Sequence, residues 1–121
     1  MGCADVLASG VLKPLVARLR PTHNSLLSGQ VHVVHNYVGG LYGFVSSHAA
    51  NSMVLLVSSI LVLKNNYLLV SLCVLYVAVT AYSRIYLGVH YPLDVLGGWI
   101  VGALVSGTII TLAKYRRWVS Y

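Results

Sequence analysis

Two groups of residues in this chain have the types and the spacing for phosphate chemistry. One is Lys13, six residues, then Arg20-Pro21; the other is Ser83-Arg84, five residues, His90, three residues, Asp94. The chain holds only eight Lys and Arg and two Asp and Glu, and three of those cations and one of those acids fall in these two patterns. So apolar a chain keeps few charges, and ionisable groups near a bilayer usually have a function. Cations converging on a histidine that has its own carboxylate suit an anionic group, phosphate first.

Pro92 favours the first turn of a helix. That puts His90 just ahead of the helix and Asp94 in its first turn, close enough to pair. A carboxylate on one imidazole nitrogen fixes the tautomer and leaves the other as base or nucleophile. The pair alone also fits a capping histidine and an aspartate that complements the helix dipole. Arg84, six residues upstream and expected at the same membrane face, tips the reading toward an anion site. Ser46-Ser47-His48 opens another apolar run. Its first N–H groups lack helical partners and can take phosphate. Ser46 or Ser47 can cap it, and His48 could protonate a leaving oxygen. A plain serine cap followed by an interfacial histidine is the simpler alternative.

Lys13 and Arg20 are two helical turns apart and share a face if the helix runs on to Pro21. Otherwise they are cations snorkelling at an interface, and Arg18 is assigned to that role. The spacing of His32 and His35 permits a metal, but neither they nor His23 have an accompanying carboxylate or cysteine. They are read as loop or interface histidines, and no metal or other cofactor is expected.

The elements that must hold these groups are four apolar segments, at about residues 2–19, 47–63, 67–85 and 92–113. At 1.5 Å per residue, runs of this length match a hydrocarbon core of about 30 Å. Hydrophobic residues make up 58% of the 121 positions and charged residues 8%, where soluble domains average about 25% charged. The β-branched stretches are therefore read as helix in lipid. The expected fold is all-α, a transmembrane bundle of about four helices in one domain, residues 1–121. A net charge of +6 suggests nucleic acid, but the cations are few, scattered and mostly at the ends of apolar runs, so that partner is excluded.

Gly98, Gly102 and Ser106 recur every four residues, a spacing that lets membrane helices pack closely. Cys3 and Cys73 define no disulfide framework. A polar loop of about 25 residues, 21–45, joins the first two segments, and its stretch 31–37 reads as a short interfacial helix or an irregular cap over a site. Lys64, Lys114, Arg116 and Arg117 fall at one end of the helices, and His48, Arg84, His90 and Asp94 at the other. The positive-inside rule then makes the first end cytoplasmic and puts the loop and site on the extracytoplasmic side of a multi-pass protein of the plasma (inner) membrane. The first segment has few apolar residues before Lys13, so further helices are expected upstream.

Together these segments resemble the type 2 phosphatidic acid phosphatase superfamily, membrane lipid phosphatases related to vanadium-dependent haloperoxidases. The family pattern is Lys-x6-Arg-Pro, Pro-Ser-Gly-His, and Ser-Arg-x5-His-x3-Asp. The first and third parts are present in full, and the third alone arises by chance in on the order of one chain in a thousand. In the second part Val45 stands for proline and Ser47 for glycine, while Ser46 and His48 are kept.

The resemblance implies that Lys13, Arg20, Arg84, Ser46 and the Ser47 backbone bind phosphate. It implies that His90 attacks phosphorus to form a phosphohistidine, that Asp94 orients His90, and that His48 protonates the leaving group, all without metal. The implied substrates are lipid phosphates or diphosphates: undecaprenyl diphosphate first, then phosphatidylglycerol phosphate, phosphatidic acid or a lipid A phosphate. The alternative is a non-catalytic membrane protein, or a truncated remnant, that binds phospholipid headgroups.

Overall fold

The computed structural model describes every residue except Met1, Ser28, Lys64, Asn65, Ser120 and Tyr121, with side chains described as far as Arg116. Lys64 and the Arg117 side chain, two of the cations used to orient the chain, lie outside the described residues.

Local signals set three of the helix starts. The α3 helix (Ser47–Leu63) begins after Ser46, whose Oγ accepts the Ala49 N–H at 3.4 Å, a serine cap. The α4 helix (Tyr67–Tyr86) is capped by Asn66, whose side chain accepts from Leu69 N–H. Its end is set by Gly88, at φ +65, a backbone that side chains disfavour. The α5 helix (Pro92–Val119) starts on proline with Asp94 in its first turn.

The first helical stretch is less regular. The α1 helix (Gly2–Asp5) runs into a π-helical segment, Val6–Leu12, and then into α2 (Lys13–Val16). Pro14 has no N–H for the carbonyl four residues back, and the wider i→i+5 pattern ahead of it accommodates that loss. The helix does not continue to Pro21. Ala17 turns left-handed at φ 49, and the chain then pairs with the end of the polar loop: Arg20 N–H donates to Leu41 O at 3.1 Å and Gly43 N–H to Arg18 O at 2.9 Å. Lys13 and Arg20 therefore do not share a helical face. The loop has short 3-10 turns at Pro21–His23 and Ser25–Leu27. Residues 31–37 are irregular, not helical.

The α3 helix lies between α4 and α5, and α1 packs on α3 and α5. The α3–α5 seam is the tightest. A Cβ placed on Gly98 would sit 2.5 Å from Ser46 O and 2.9 Å from Ala49 Cβ, and one on Gly102 would collide with Ala50 O. Ser106 is buried and donates back to Gly102 O at 2.9 Å. The small-residue stripe is thus the face on which α3 rests.

Two helical spans, Tyr67–Tyr86 and Pro92–Arg116, are long and apolar enough to cross a membrane. Only 11% and 22% of their most apolar windows are buried, whereas the core helix of a soluble protein would be mostly covered. Leu68, Leu72, Leu75 and Val79 on α4 face outward, as lipid-facing residues do. The molecule is an all-α membrane bundle, and its described residues contain no strand beyond the isolated Leu19–Tyr42 bridge.

Candidate active site

The start of α3, the end of α4 and the start of α5 meet at one end of the bundle, and the segment after α2 folds over them. Backbone bonds hold the junction. Ser46 N–H donates to Asp94 O at 2.9 Å, and His90 N–H to Arg84 O at 3.3 Å. These two bonds bring Ser46, Arg84, His90 and Asp94 together from three separate places in the chain.

His90 and Asp94 are 3% and 0% exposed. His90 Nδ1 faces Asp94 Oδ2 at 3.6 Å, somewhat longer than a hydrogen bond. Contacts of this kind tighten as charge develops on the ring. The same oxygen accepts the Tyr91 N–H at 2.8 Å. Burial, above all, holds His90 below the ordinary histidine range, and Arg20 acts in the same direction against the upward pull of Asp94. The ring is therefore kept neutral.

His48, one residue into α3, is exposed. Arg84, His90, Lys13 and Arg20 all lie within its electrostatic reach. Arg20 is half-buried in extended backbone. Its Nε donates to Tyr42 O at 3.1 Å and its Nη1 to Val89 O at 3.3 Å, beside His90. Gly39, at φ +66, passes so close that a Cβ there would lie 2.8 Å from Arg20 Nη1.

Lys13 Nζ donates to Ser47 Oγ at 3.0 Å and to Ser9 Oγ at 3.1 Å, and the two hydroxyls are 2.7 Å apart. The side chain that Ser47 has in place of glycine thus faces the lysine. Arg84 is half-buried in the last turn of α4, with its Nε 3.3 Å from Ser83 Oγ. All eight residues singled out in the sequence reach the same end of the bundle. These donors and the first amides of α3 are of the kinds that hold phosphate oxygens.

A family model of the PAP2 superfamily matches residues 1–118. The chain belongs to that superfamily. It is 35% identical over 113 residues to a lipid A 4'-phosphatase of Porphyromonas gingivalis, covering 93% of this chain and 48% of the relative. It is 39% identical over 100 residues to a lipid A 4'-phosphatase of Bacteroides thetaiotaomicron, covering 82% and 44%. A shorter match, 58% identical over 26 residues, is to an undecaprenyl-diphosphatase of Sulfolobus acidocaldarius, covering 22% and 13%. The chain thus spans about half the length of the curated relatives it matches over most of its own length. No solved structure matches it.

The structure also brings in residues that the spacing of this PAP2 chain did not single out. Arg18 Nη1 lies 3.2 Å from Asp94 Oδ1, so Arg18 is no snorkelling cation. Its guanidinium is 4.3 Å above the Tyr91 ring, and Tyr91 OH accepts from Asn24 Nδ2 at 3.1 Å. A Cβ on Gly43 would be 3.0 Å from Asp94 Oδ2. One signal was available. In extended backbone, residues two apart point the same way, so Arg18 and Arg20 turn to one side once the helix stops at Val16. His32, considered as a metal ligand, has its ring centroid 5.0 Å from that of Tyr86.

Proposed function

We propose that this chain is the motif-bearing part of a membrane lipid phosphatase that works through a phosphohistidine. The observation that carries the reading is the buried, neutral His90 with Asp94 on its Nδ1 side, at an end of the bundle where Lys13, Arg20 and Arg84 gather. With Nδ1 turned to the carboxylate, Nε2 is the nucleophile. It attacks phosphorus while the bond to the lipid oxygen breaks. Protonated His48, open to the surface, gives its proton to that oxygen. Neutral His48 then takes a proton from water, the water oxygen attacks phosphorus, and the P–N bond breaks to restore His90. Lys13, Arg20, Arg84, Ser46 and the first amides of α3 hold the phosphoryl oxygens and stabilise their charge in the transition state. These groups are a sufficient cationic cradle without a metal.

Among the lipid phosphates and diphosphates, the two long matches favour a lipid A phosphate as the first substrate to test, ahead of undecaprenyl diphosphate. Lys114 and Arg116, far along α5 from the site, support a multi-pass arrangement in the inner membrane with the site on the extracytoplasmic side.

The test is phosphate release in detergent, with EDTA, from lipid A, undecaprenyl diphosphate, phosphatidic acid and phosphatidylglycerol phosphate. We expect metal-independent release that drops at least about a thousandfold in His90→Ala with helicity intact. Turnover retained by that variant overturns the phosphohistidine route. No release from any lipid by the folded chain favours a phosphate-binding protein.

A further inference from the structure

Arg18 is a cation at the site that the phosphate cradle does not use. We propose that Arg18 is a positioning residue for the His90–Asp94 pair, gripping Asp94 Oδ1 and leaving phosphate to the other cations. The proposal rests on the reading of His90 as nucleophile and Asp94 as its orienting acid.

Asp94 is fully buried, and its two oxygens are treated differently. Oδ2 accepts the Tyr91 N–H at 2.8 Å and faces His90 at 3.6 Å. Oδ1 has no hydrogen-bond donor among the described residues, and its ion-pair partner is Arg18 at 3.2 Å. Rotating the carboxylate about its Cβ–Cγ bond would exchange these oxygens, and the Arg18 contact opposes that rotation. The buried charge is also met there by a cation, which a carboxylate shut away from water requires.

Arg18 is itself held from two directions. Tyr91 lies beneath its guanidinium, and the Arg18 carbonyl accepts the Gly43 N–H. Tyr91 is fixed in turn by its own N–H on Asp94 and by Asn24 on its hydroxyl. Arg18, Tyr91 and Asp94 therefore close a ring of contacts beside His90. A planar guanidinium suits a seat between an aromatic face and a carboxylate; a lysine ammonium supplies the charge without the plane.

The experiment measures kcat, KM and vanadate inhibition for the full chain, Arg18→Gln, Arg18→Lys, Asp94→Asn and the Arg18→Gln/Asp94→Asn double variant, with melting followed by circular dichroism. A residue acting through Asp94 lowers kcat about 10- to 100-fold in Arg18→Gln while KM and vanadate inhibition stay within about twofold. Arg18→Lys regains part of the rate. The double variant is within about twofold of Asp94→Asn alone, because the partner is already lost. Unchanged kcat in Arg18→Gln, weakened vanadate binding to match the rate loss, or fully multiplicative effects in the double variant overturns the proposal.

If the unaltered chain releases no phosphate, the proposed function fails, and Arg18 is then judged by nuclear magnetic resonance. The Nδ1–H signal of His90, assigned by its loss in His90→Gln, is expected in the unaltered chain and in Arg18→Lys, and shifted or lost in Arg18→Gln. A signal unchanged in Arg18→Gln overturns the proposal.

Discussion

The two halves of the candidate site stand on different kinds of support. The groups proposed to make and break bonds, His48 and His90, and the Asp94 that orients His90, sit at the starts of α3 and α5 or just ahead of them. Those helices are locked by Gly98 and Gly102 and joined by the Ser46–Asp94 backbone bond. The cations Arg18 and Arg20 come instead from a short extended segment after the left-handed turn at Ala17, tied down by loop residues 41–43. Reaction geometry tolerates little displacement, since a misplacement of about 1 Å can cost two orders of magnitude in rate. Charge falls off slowly with distance, so a cation can be delivered by a long side chain on an irregular backbone. The fold spends its rigid seam on the first task and its loop on the second.

The sharpest way to break this contrast is at the seam. Gly98→Leu drives a side chain into Ser46 O and Ala49 Cβ, and we expect it to cost at least about 3 kcal/mol and abolish turnover. Gly107→Leu, where an added Cβ meets nothing within 4 Å, is expected to leave turnover unchanged and to keep or slightly raise the melting temperature, since leucine favours a helix over glycine. Equal behaviour of the two variants in a thermal melt would erase the distinction between seam and outer face.

On the loop side the effect is smaller. Arg20→Ala is expected to lower kcat/KM about a hundredfold by removing a phosphate donor, with melting nearly unaltered; a collapse in stability would mean that Arg20 is mainly a strut for Tyr42 and Val89. Smallest is the pH effect. In the proposed route His90 must be neutral to attack, and burial lowers its proton affinity. The acid limb of kcat/KM should therefore lie below the ordinary histidine range, with activity lost only as pH falls through that lowered value. A limb at or above the ordinary range would mean that Asp94 outweighs burial.

Much of the rigid half was legible in the sequence. Ser46 and Pro92 are local punctuation, and the apolar runs match α3, α4 and α5 closely. The stripe Gly98, Gly102, Ser106 announced the packing face because small residues every four positions have one main use in such a helix. The irregular half was much less legible. Alanine is a strong helix former, so nothing at Ala17 marks a helix end; the stop is imposed by pairing with residues more than twenty positions away. With the helix carried on to Pro21, Arg18 faced away from Arg20, and its contact with Asp94 could not be seen. Residues 31–37 carry no strong period, and Gly88 packs so closely against Val31 and His32 that tertiary contact, not propensity, sets their path.

The bond from Ser46 N–H to Asp94 O also bears on how the protein meets bilayers of different thickness. Helices answer a thicker or thinner membrane by tilting. With α3 and α5 pinned to each other at their starting ends and locked as far as Gly102, a change of tilt is taken up with the greatest travel at Leu63 and beyond Lys114 and the least at the pin. His48 and His90, the proposed proton donor and nucleophile, lie beside that fulcrum, so their separation is insulated from the mechanics of the surrounding lipid.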